Sequence, residues 1–431
     1  MKNISTPITN SFLPEALSKL YKDLDQKQLE EELFDEYPEI CTAVAWHRRY
    51  GVPKLYSQSA ELMTANPHQV FFESNLSKQY TGNPRYLYEA MLEKYPDLDY
   101  IWCYSGNYPI PGNPKIIKKR GSKEYYKLLA SSGLAVNNTT FPIWFMRKET
   151  FFLQTWHGTP LKKLHWDIEL KKRKSSLTVF AKTSGWNALL SPNYYSTQKF
   201  KSCFRYTGPI IETGYPANDI FSNRIKYEKK RLEVRSKLGT FDDSKKLILY
   251  APTWRDKNHL GNYMFKFDLL LDLDEALTAI PEDYIFLIRT HHMSESKDLK
   301  HSFTKSQKKQ VIDVSEWDDA VELMCAADLL VTDYSSIVYD WACSEKPVVY
   351  YTPDIEEYGK ILRGMYYDIK DLNAGPITYT TKTLCTEIIN SFRQNYKISE
   401  KFKKTFCTIN DGNSTNRVIQ YLNEKVLKIP E

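Results

Sequence analysis

Three short strings in this chain carry residue types suited to chemistry on a phosphate ester, and each follows an apolar run. The first is Trp156-His157-Gly158-Thr159, after Phe151–Thr155. The second is Arg289-Thr290-His291, after Tyr284–Ile288. The third is Asp333-Tyr334-Ser335-Ser336, after Leu329–Thr332. An imidazole titrates near neutrality and can take a proton from a hydroxyl. Arg289 and His291 stand two residues apart, so an extended backbone turns both to one side. Ser335 or Ser336 can cap a helix there while hydroxyls and backbone N–H groups face an anion. A base, cationic donors and a phosphate cradle are the minimum for phosphoryl transfer by positioning and charge stabilisation. His157 is the expected general base. Pro160 reads as the first residue of a helix, where its missing N–H costs nothing. That would set His157 beside a helix N-terminus.

Each residue also has a structural reading. A lone histidine is usually hydrogen-bonded framework, which is the reading for His165, His259 and His301. Arg289 and His291 could be ion-pair partners, His292 could only shape its loop, and many helices begin like Asp333–Ser336. The sequence contains no P-loop, GxGxxG, HExxH or GxSxG motif.

The elements that must position these strings alternate between strand and helix. Strands read at Val70–Glu73, Tyr100–Tyr104, Ala135–Asn138, Phe151–Thr155, 186–191 and Ile210–Gly214, with helices around Tyr86–Tyr95 and Lys127–Ala130. Gly214-Tyr215-Pro216 interrupts the series. A charged helix, Arg224 to about Leu238, leads to strands at Lys246–Tyr250, Tyr284–Ile288, Val311–Val314, Leu329–Thr332 and Pro347–Tyr351. Such alternation predicts parallel sheets with helices on both faces. Ligands then bind past the strand C-terminal ends. The expected fold is α/β, with two doubly wound Rossmann-like domains and a helical N-terminal extension. The expected boundaries are 1–68, 69–215 and 216–431, with a last helix near Asp411–Leu422 that could pack back on the first domain. Leu13, Leu17, Leu20, Leu24 and Leu29 recur at near-helical spacing, so the extension reads as amphipathic helices for packing, dimerisation or membrane contact.

Composition narrows the class. A chain of 431 residues exceeds one ordinary core. The net charge of +6 favours anionic partners weakly. It is partly local, at Lys171–Lys174 beyond Lys162, Lys163 and His165, which reads as a solvated face or as a patch for a polyanion or an anionic membrane. The 14% aromatic content suits nucleotide or sugar ligands as well as cores. Seven scattered cysteines without a CxxC pair argue against a disulfide framework or a zinc site and for a reducing compartment. No signal peptide and no run of about 18–20 apolar residues is found, so a cytoplasmic location is expected, with peripheral membrane attachment open. No carboxylate cluster suggests an obligate metal, although Mg²⁺ could accompany a phosphorylated donor. A nucleic-acid partner is not expected.

Taken in order, the strings resemble the CDP-glycerol glycerophosphotransferase family, which includes teichoic acid primases and polymerases and related capsule enzymes. The resemblance is carried by Trp156-His157-Gly158-Thr159-Pro160-Leu161-Lys162, Tyr250-Ala251-Pro252-Thr253-Trp254-Arg255 and Arg289-Thr290-His291. It continues through Asp313-Val314-Ser315, Thr332-Asp333-Tyr334-Ser335-Ser336, Arg363-Gly364, and Asp411-Gly412 with Arg417. It runs from about residue 70 to the C-terminus. The resemblance implies a GT-B-type fold with its active site between the domains. It implies transfer of glycerol phosphate, or ribitol phosphate, from a CDP-alditol to an acceptor hydroxyl, with release of CMP. His157 and His291 would be catalytic. Arg289, Thr332, Asp333, Ser335, Ser336, Thr253, Trp254, Arg255, Arg363 and Gly364 would serve the donor, with Gly158 and Thr159 completing the histidine turn. The implied acceptor is lipid-linked or polymeric and anionic, reached at the inner face of the cell membrane. The chain departs from the family pattern at Ala217, where an Arg is frequent, and at His165, where a Gly is common. A nucleotide-sugar glycosyltransferase and a non-catalytic wall-assembly module are the competing readings.

Overall fold

The computed structural model describes residues 54–143, 147–169, 185–239, 244–253, 269–290, 303–356 and 364–430, with short pieces at 179, 182–183, 259–261, 264–266 and 294–295. The amphipathic leucine segment and the Lys171–Lys174 patch lie outside the described residues.

Two parallel sheets organise the chain. The first contains β1 (Asn66–Glu73), β2 (Asp99–Cys103), β3 (Lys115–Ile117), β4 (Ser132–Asn137), β5 (Phe151–Gln154), β6 (Ala188–Ser191) and β7 (Ile210–Glu212). Its order is β3-β2-β1-β4-β5-β6-β7. The second contains β8 (Lys246–Tyr250), β9 (Tyr284–Ile288), β10 (Val311–Asp313), β11 (Leu329–Thr332), β12 (Val348–Tyr351) and β13 (Ile377–Thr378), in the order β10-β9-β8-β11-β12-β13. Strand order reverses beside β1 and β8, which is where doubly wound sheets open a crevice for ligands.

The strands are apolar almost throughout because both faces of each sheet are covered. Every residue of β4, β9, β11 and β12 is buried. Close packing also fixes Gly133 in β4: a Cβ there would lie 2.6 Å from Pro67 Cα of the neighbouring strand. On one face of the first sheet the helix Gly82–Lys94 packs with the C-terminal helix Ser414–Leu422, so Leu87 and Met91 share a core with Val418, Ile419 and Leu422. The other face is covered by the helices Lys123–Ser131 and Tyr194–Phe204. The helix Lys54–Leu62 joins this layer through buried Tyr56, whose hydroxyl accepts from the Arg147 N–H at 3.2 Å. In the second domain the helices Arg224–Lys237, Ala320–Ala326 and Ile337–Ala342 cover one face, and Leu273–Ala279 and Thr381–Arg393 the other.

Candidate active site between the domains

Strand β5 delivers His157 to the first domain's C-terminal edge. The chain reverses sharply there: Trp156 adopts φ +53° and Gly158 φ +145°. The first is a costly conformation for a bulky residue and is held from several sides. The Trp156 N–H donates to Gln154 Oε1 at 2.8 Å. Asn83 Nδ2 donates to the carbonyls of Thr155 and Trp156, both at 3.3 Å. The Tyr215 hydroxyl donates to the Gly158 carbonyl at 3.3 Å.

The His157 ring stacks on Trp156 with centroids 4.4 Å apart and is exposed toward the cleft. Its Nδ1 lies 2.6 Å from the Asn138 carbonyl. A carbonyl only accepts, so Nδ1 carries the proton and the Nε2 lone pair is left for a substrate. Desolvation by the surrounding protein lowers the imidazole pKa below its ordinary value, against the opposing pull of the Asn138 carbonyl. The ring therefore remains a neutral base at somewhat lower pH. Asn138 is fixed in turn: its Oδ1 accepts from the Asn75 N–H at 2.9 Å, and its Nδ2 donates to Ser74 Oγ at 3.1 Å and Asn75 Oδ1 at 3.0 Å. The loop beneath it runs through left-handed Asn75, Leu76 and Ser77.

One local expectation is corrected. Pro160 does not open a helix. Residues 160–164 run without helical structure and reach into the second domain. Leu161 is buried in the second domain's core, and Lys162 pairs antiparallel with Met365. The Lys163 N–H donates to the Gly364 carbonyl and the Tyr366 N–H to the Leu161 carbonyl, both at 2.9 Å. Burial of Leu161 together with this backbone pairing outweighs the proline's local preference for a helix start. His157 thus sits at a domain-crossing turn and not at a helix N-terminus. Gly364, expected near the donor, forms part of this ladder: at φ +92°, a Cβ would lie 3.1 Å from Lys163 Cδ. Thr159 is buried and accepts from Asn193 Nδ2 at 3.4 Å and Ser196 Oγ at 3.3 Å.

The second sheet brings its strings to one edge through three adjacent strands. Thr253 follows β8, Arg289 follows β9 and Ser335-Ser336 follow β11. Arg289 is half-buried and its Nη1 donates to the Trp317 carbonyl at 3.0 Å. Burial lowers the guanidinium pKa, opposed by nearby Asp319 and Asp318. Thr332 and Asp333 are buried and turn inward. The Thr332 hydroxyl donates to the Ala251 carbonyl at 2.8 Å, and Asp333 Oδ1 accepts from the Thr253 N–H at 2.8 Å and from its hydroxyl. These three residues tie β8 to β11. Ser335 and Ser336 are only half-buried. Ser336 meets the histidine turn directly: a Cβ on Gly158 would lie 3.3 Å from Ser336 Oγ. The turns at His157 and Ser336 are thus in contact across the domain boundary. Trp254, Arg255, His291, His292 and Arg363 lie outside the described residues. Among the described residues no group of three His, Cys, Asp or Glu side chains is arranged to hold a metal ion, and no helix is long and apolar enough to cross a membrane.

Local sequence reasoning missed Asn83 and Asn138. Asn138 ends an apolar run at a strand C-terminus, which was a usable sign. Asn83 stands in the first turn of the helix Gly82–Lys94 and gave none, because its partners lie about seventy residues away.

Two Rossmann-like sheets, one presenting a histidine and the other hydroxyls and a guanidinium across a shared cleft, define a GT-B-like group-transferase architecture. Residues 55–424 match the family described as CDP-glycerol:poly(glycerophosphate) glycerophosphotransferase, and the chain belongs to it. It is 34% identical over 399 residues to a teichoic acid poly(glycerol phosphate) polymerase of Staphylococcus epidermidis, covering 89% of this chain and 54% of that protein. It is 35% identical to a polymerase of the same description from Bacillus spizizenii, covering 84% of this chain and 93% of that protein. The chain therefore spans about half the length of the first relative and most of the second. The solved wall teichoic acid polymerase TagF superposes with a TM-score of 0.74 at 29% identity, over 96% of this chain and 97% of that one.

Proposed function

We propose that this chain transfers glycerol phosphate from CDP-glycerol to an acceptor hydroxyl in teichoic acid synthesis, releasing CMP. The acceptor oxygen attacks the β-phosphorus, and the bond from that phosphorus to the CMP oxygen breaks. His157 Nε2 takes the acceptor proton, and CMP leaves with the bridging oxygen. The observation that carries this reading is the His157 turn: Nδ1 is engaged by the Asn138 carbonyl, the ring is open to the cleft, and Gly158 abuts Ser336 of the other domain. Ser335, Ser336 and Arg289 would offset charge on the donor pyrophosphate. Thr253, Thr332 and Asp333 would hold that edge in shape. His291, Trp254, Arg255 and Arg363 complete the proposed donor side by family resemblance. Family membership supports CDP-glycerol as the donor, as does a TagF histidine variant soaked with CDPG.

The acceptor is proposed to be an anionic, lipid-linked or polymeric chain at the inner face of the membrane, in keeping with the net charge of +6. No tightly held metal is required, and Mg²⁺ would enter only with the donor. The test supplies CDP-glycerol, CDP-ribitol and UDP-sugars separately with a glycerol-phosphate primed acceptor and weighs the products. Growth by glycerol phosphate units with matching CMP is expected. Growth from CDP-ribitol alone would reassign the donor, and release of UDP from a sugar donor would replace the reading. Turnover in excess chelator should persist; complete loss would establish a metal requirement.

A further inference from the structure

The segment after β10 touches both halves of the molecule. On the donor side, the Trp317 carbonyl accepts from Arg289 Nη1 at 3.0 Å. On the other side, Asp318 Oδ2 accepts from the Tyr104 hydroxyl at 2.6 Å and from the Tyr80 N–H at 3.2 Å, both in the first domain. Asp319 Oδ2 and Glu322 Oε1 accept from Arg85 of the first domain at 3.3 and 2.8 Å. Trp317 Nε1 donates to Glu322 Oε2 at 2.9 Å, closing the group on itself. Arg85, Asp319 and Glu322 are each buried.

Arg85 belongs to the helix Gly82–Lys94, which also carries Asn83. Asn83 holds the carbonyls of Thr155 and Trp156, the two residues before His157. One helix therefore grips the histidine turn at its start and the Trp317–Glu322 segment one residue pair later. One segment grips that helix and Arg289 together. The Arg85 bonds to Asp319 and Glu322 form only when both domains are docked, although Lys230 also pairs Glu322 at 3.2 Å within the second domain and Glu89 pairs Arg85 at 2.9 Å within the first; removal of Arg85 takes from buried Asp319 its cationic partner. A buried ionic contact across a domain boundary favours discrete arrangements over gradual sliding.

The geometry points to a positioning clasp: Tyr104, Arg85, Asp318, Asp319 and Glu322 set the register between the His157 turn and the donor edge at Arg289. None of the five is placed in contact with substrate. They act through Asn83 on one side and Trp317 on the other. Phosphoryl transfer depends on alignment of attacking oxygen, phosphorus and base, and a misplacement of about 1 Å can cost about 10²-fold in rate. The clasp should therefore affect turnover more than donor affinity. This inference rests on the proposed function for the identity of the donor but not for the domain register itself.

Arg85→Lys is the most direct variant, because an ammonium cannot span two carboxylates as a guanidinium does. It could also fail to fold. Tyr104→Phe removes one hydroxyl and keeps the ring, and Asp318→Ala removes the shared acceptor. For both we expect kcat with CDP-glycerol to fall about tenfold or more, with the calorimetric dissociation constant for CDP-glycerol within about twofold and the melting temperature close to the parent's. Small-angle scattering of Asp318→Ala without donor should give a larger radius of gyration. Unchanged kcat in both variants overturns the clasp. So does a proportional loss of kcat, donor affinity and thermal stability. If the parent chain releases no CMP from CDP-glycerol, the proposed function fails by itself. The scattering comparison then still decides the clasp, and an unchanged radius overturns it.

Discussion

The turn after β5 and the turn after β11 read alike as sequence but are built oppositely. Each is a short polar string behind a buried strand. After β5 the chain folds its framework groups inward and leaves one titratable side chain, His157, exposed to the cleft. At the end of β11 Thr332 and Asp333 are buried, and the hydroxyl-bearing Ser335 and Ser336 beyond them are only half-buried. The lesson is that a conspicuous charge at a strand end is as readily a strut as a ligand contact. Asp333 bonds both polar groups of Thr253 and so joins the ends of β8 and β11.

That contrast can be broken first at Asp333. Asp333→Ala would take the acceptor from both the N–H and the hydroxyl of half-buried Thr253 and should destabilise the fold by about 3 kcal/mol in denaturant titration. A stable variant with weakened donor binding would make Asp333 a ligand residue instead. Next in size is Asp340, on the helix after Ser336. Burial raises its carboxyl to about 6 from an ordinary 3.8, opposed by Asn218 Nδ2 at 2.9 Å. The folded state then binds the proton more tightly than the unfolded one. This group's contribution is most favourable at or below about pH 4 and is lost as pH rises through about 6. Asp340→Asn keeps the acceptor without the charge and should gain about 2 kcal/mol at neutral pH. A neutral-pH stability equal to the parent's would show that the charge is not penalised.

Gly158→Ala tests the meeting of the two turns. It combines an unfavourable φ with a contact 3.3 Å from Ser336 Oγ, so turnover should fall about tenfold while the fold persists. Normal turnover would mean that the turns have room to separate. Ser336→Ala should weaken CMP binding about fivefold in calorimetry and leave stability within about 0.5 kcal/mol. The smallest effect concerns pH. The lowered pKa of His157 should place the acid limb of kcat/KM below 6.5, so that the rate holds to lower pH than a free imidazole allows. An acid limb above 6.5 would remove His157 as the titrating base.

The two sheets were legible because a parallel strand buried on both faces is apolar along its length, as Leu247–Tyr250 and Tyr284–Ile288 are. The position of His157 at a strand end was legible for the same reason. The path of the chain beyond Pro160 was hidden. Residues 161–163 are set by pairing with 364–366, two hundred residues away, and no local pattern encodes such a partner. The helix Tyr194–Phe204 was readable in principle from Asn193, whose Oδ1 caps Ser196 N–H at 2.8 Å. The Arg85 cluster was not, because its acids lie more than 230 residues downstream. The inward turn of Asp333 was hidden as well, since sequence gives residue type and position but not which side of a strand end the framework needs.

His157 is proposed to supply the base while the second domain holds the donor. This assignment is tested most directly with His157→Ala, by measuring CMP release from CDP-glycerol and donor affinity on the same preparation. Turnover should fall by about 10²–10⁴-fold with the dissociation constant nearly unchanged. Near-normal turnover, or a loss of donor binding that accounts for the whole defect, would contradict the assignment.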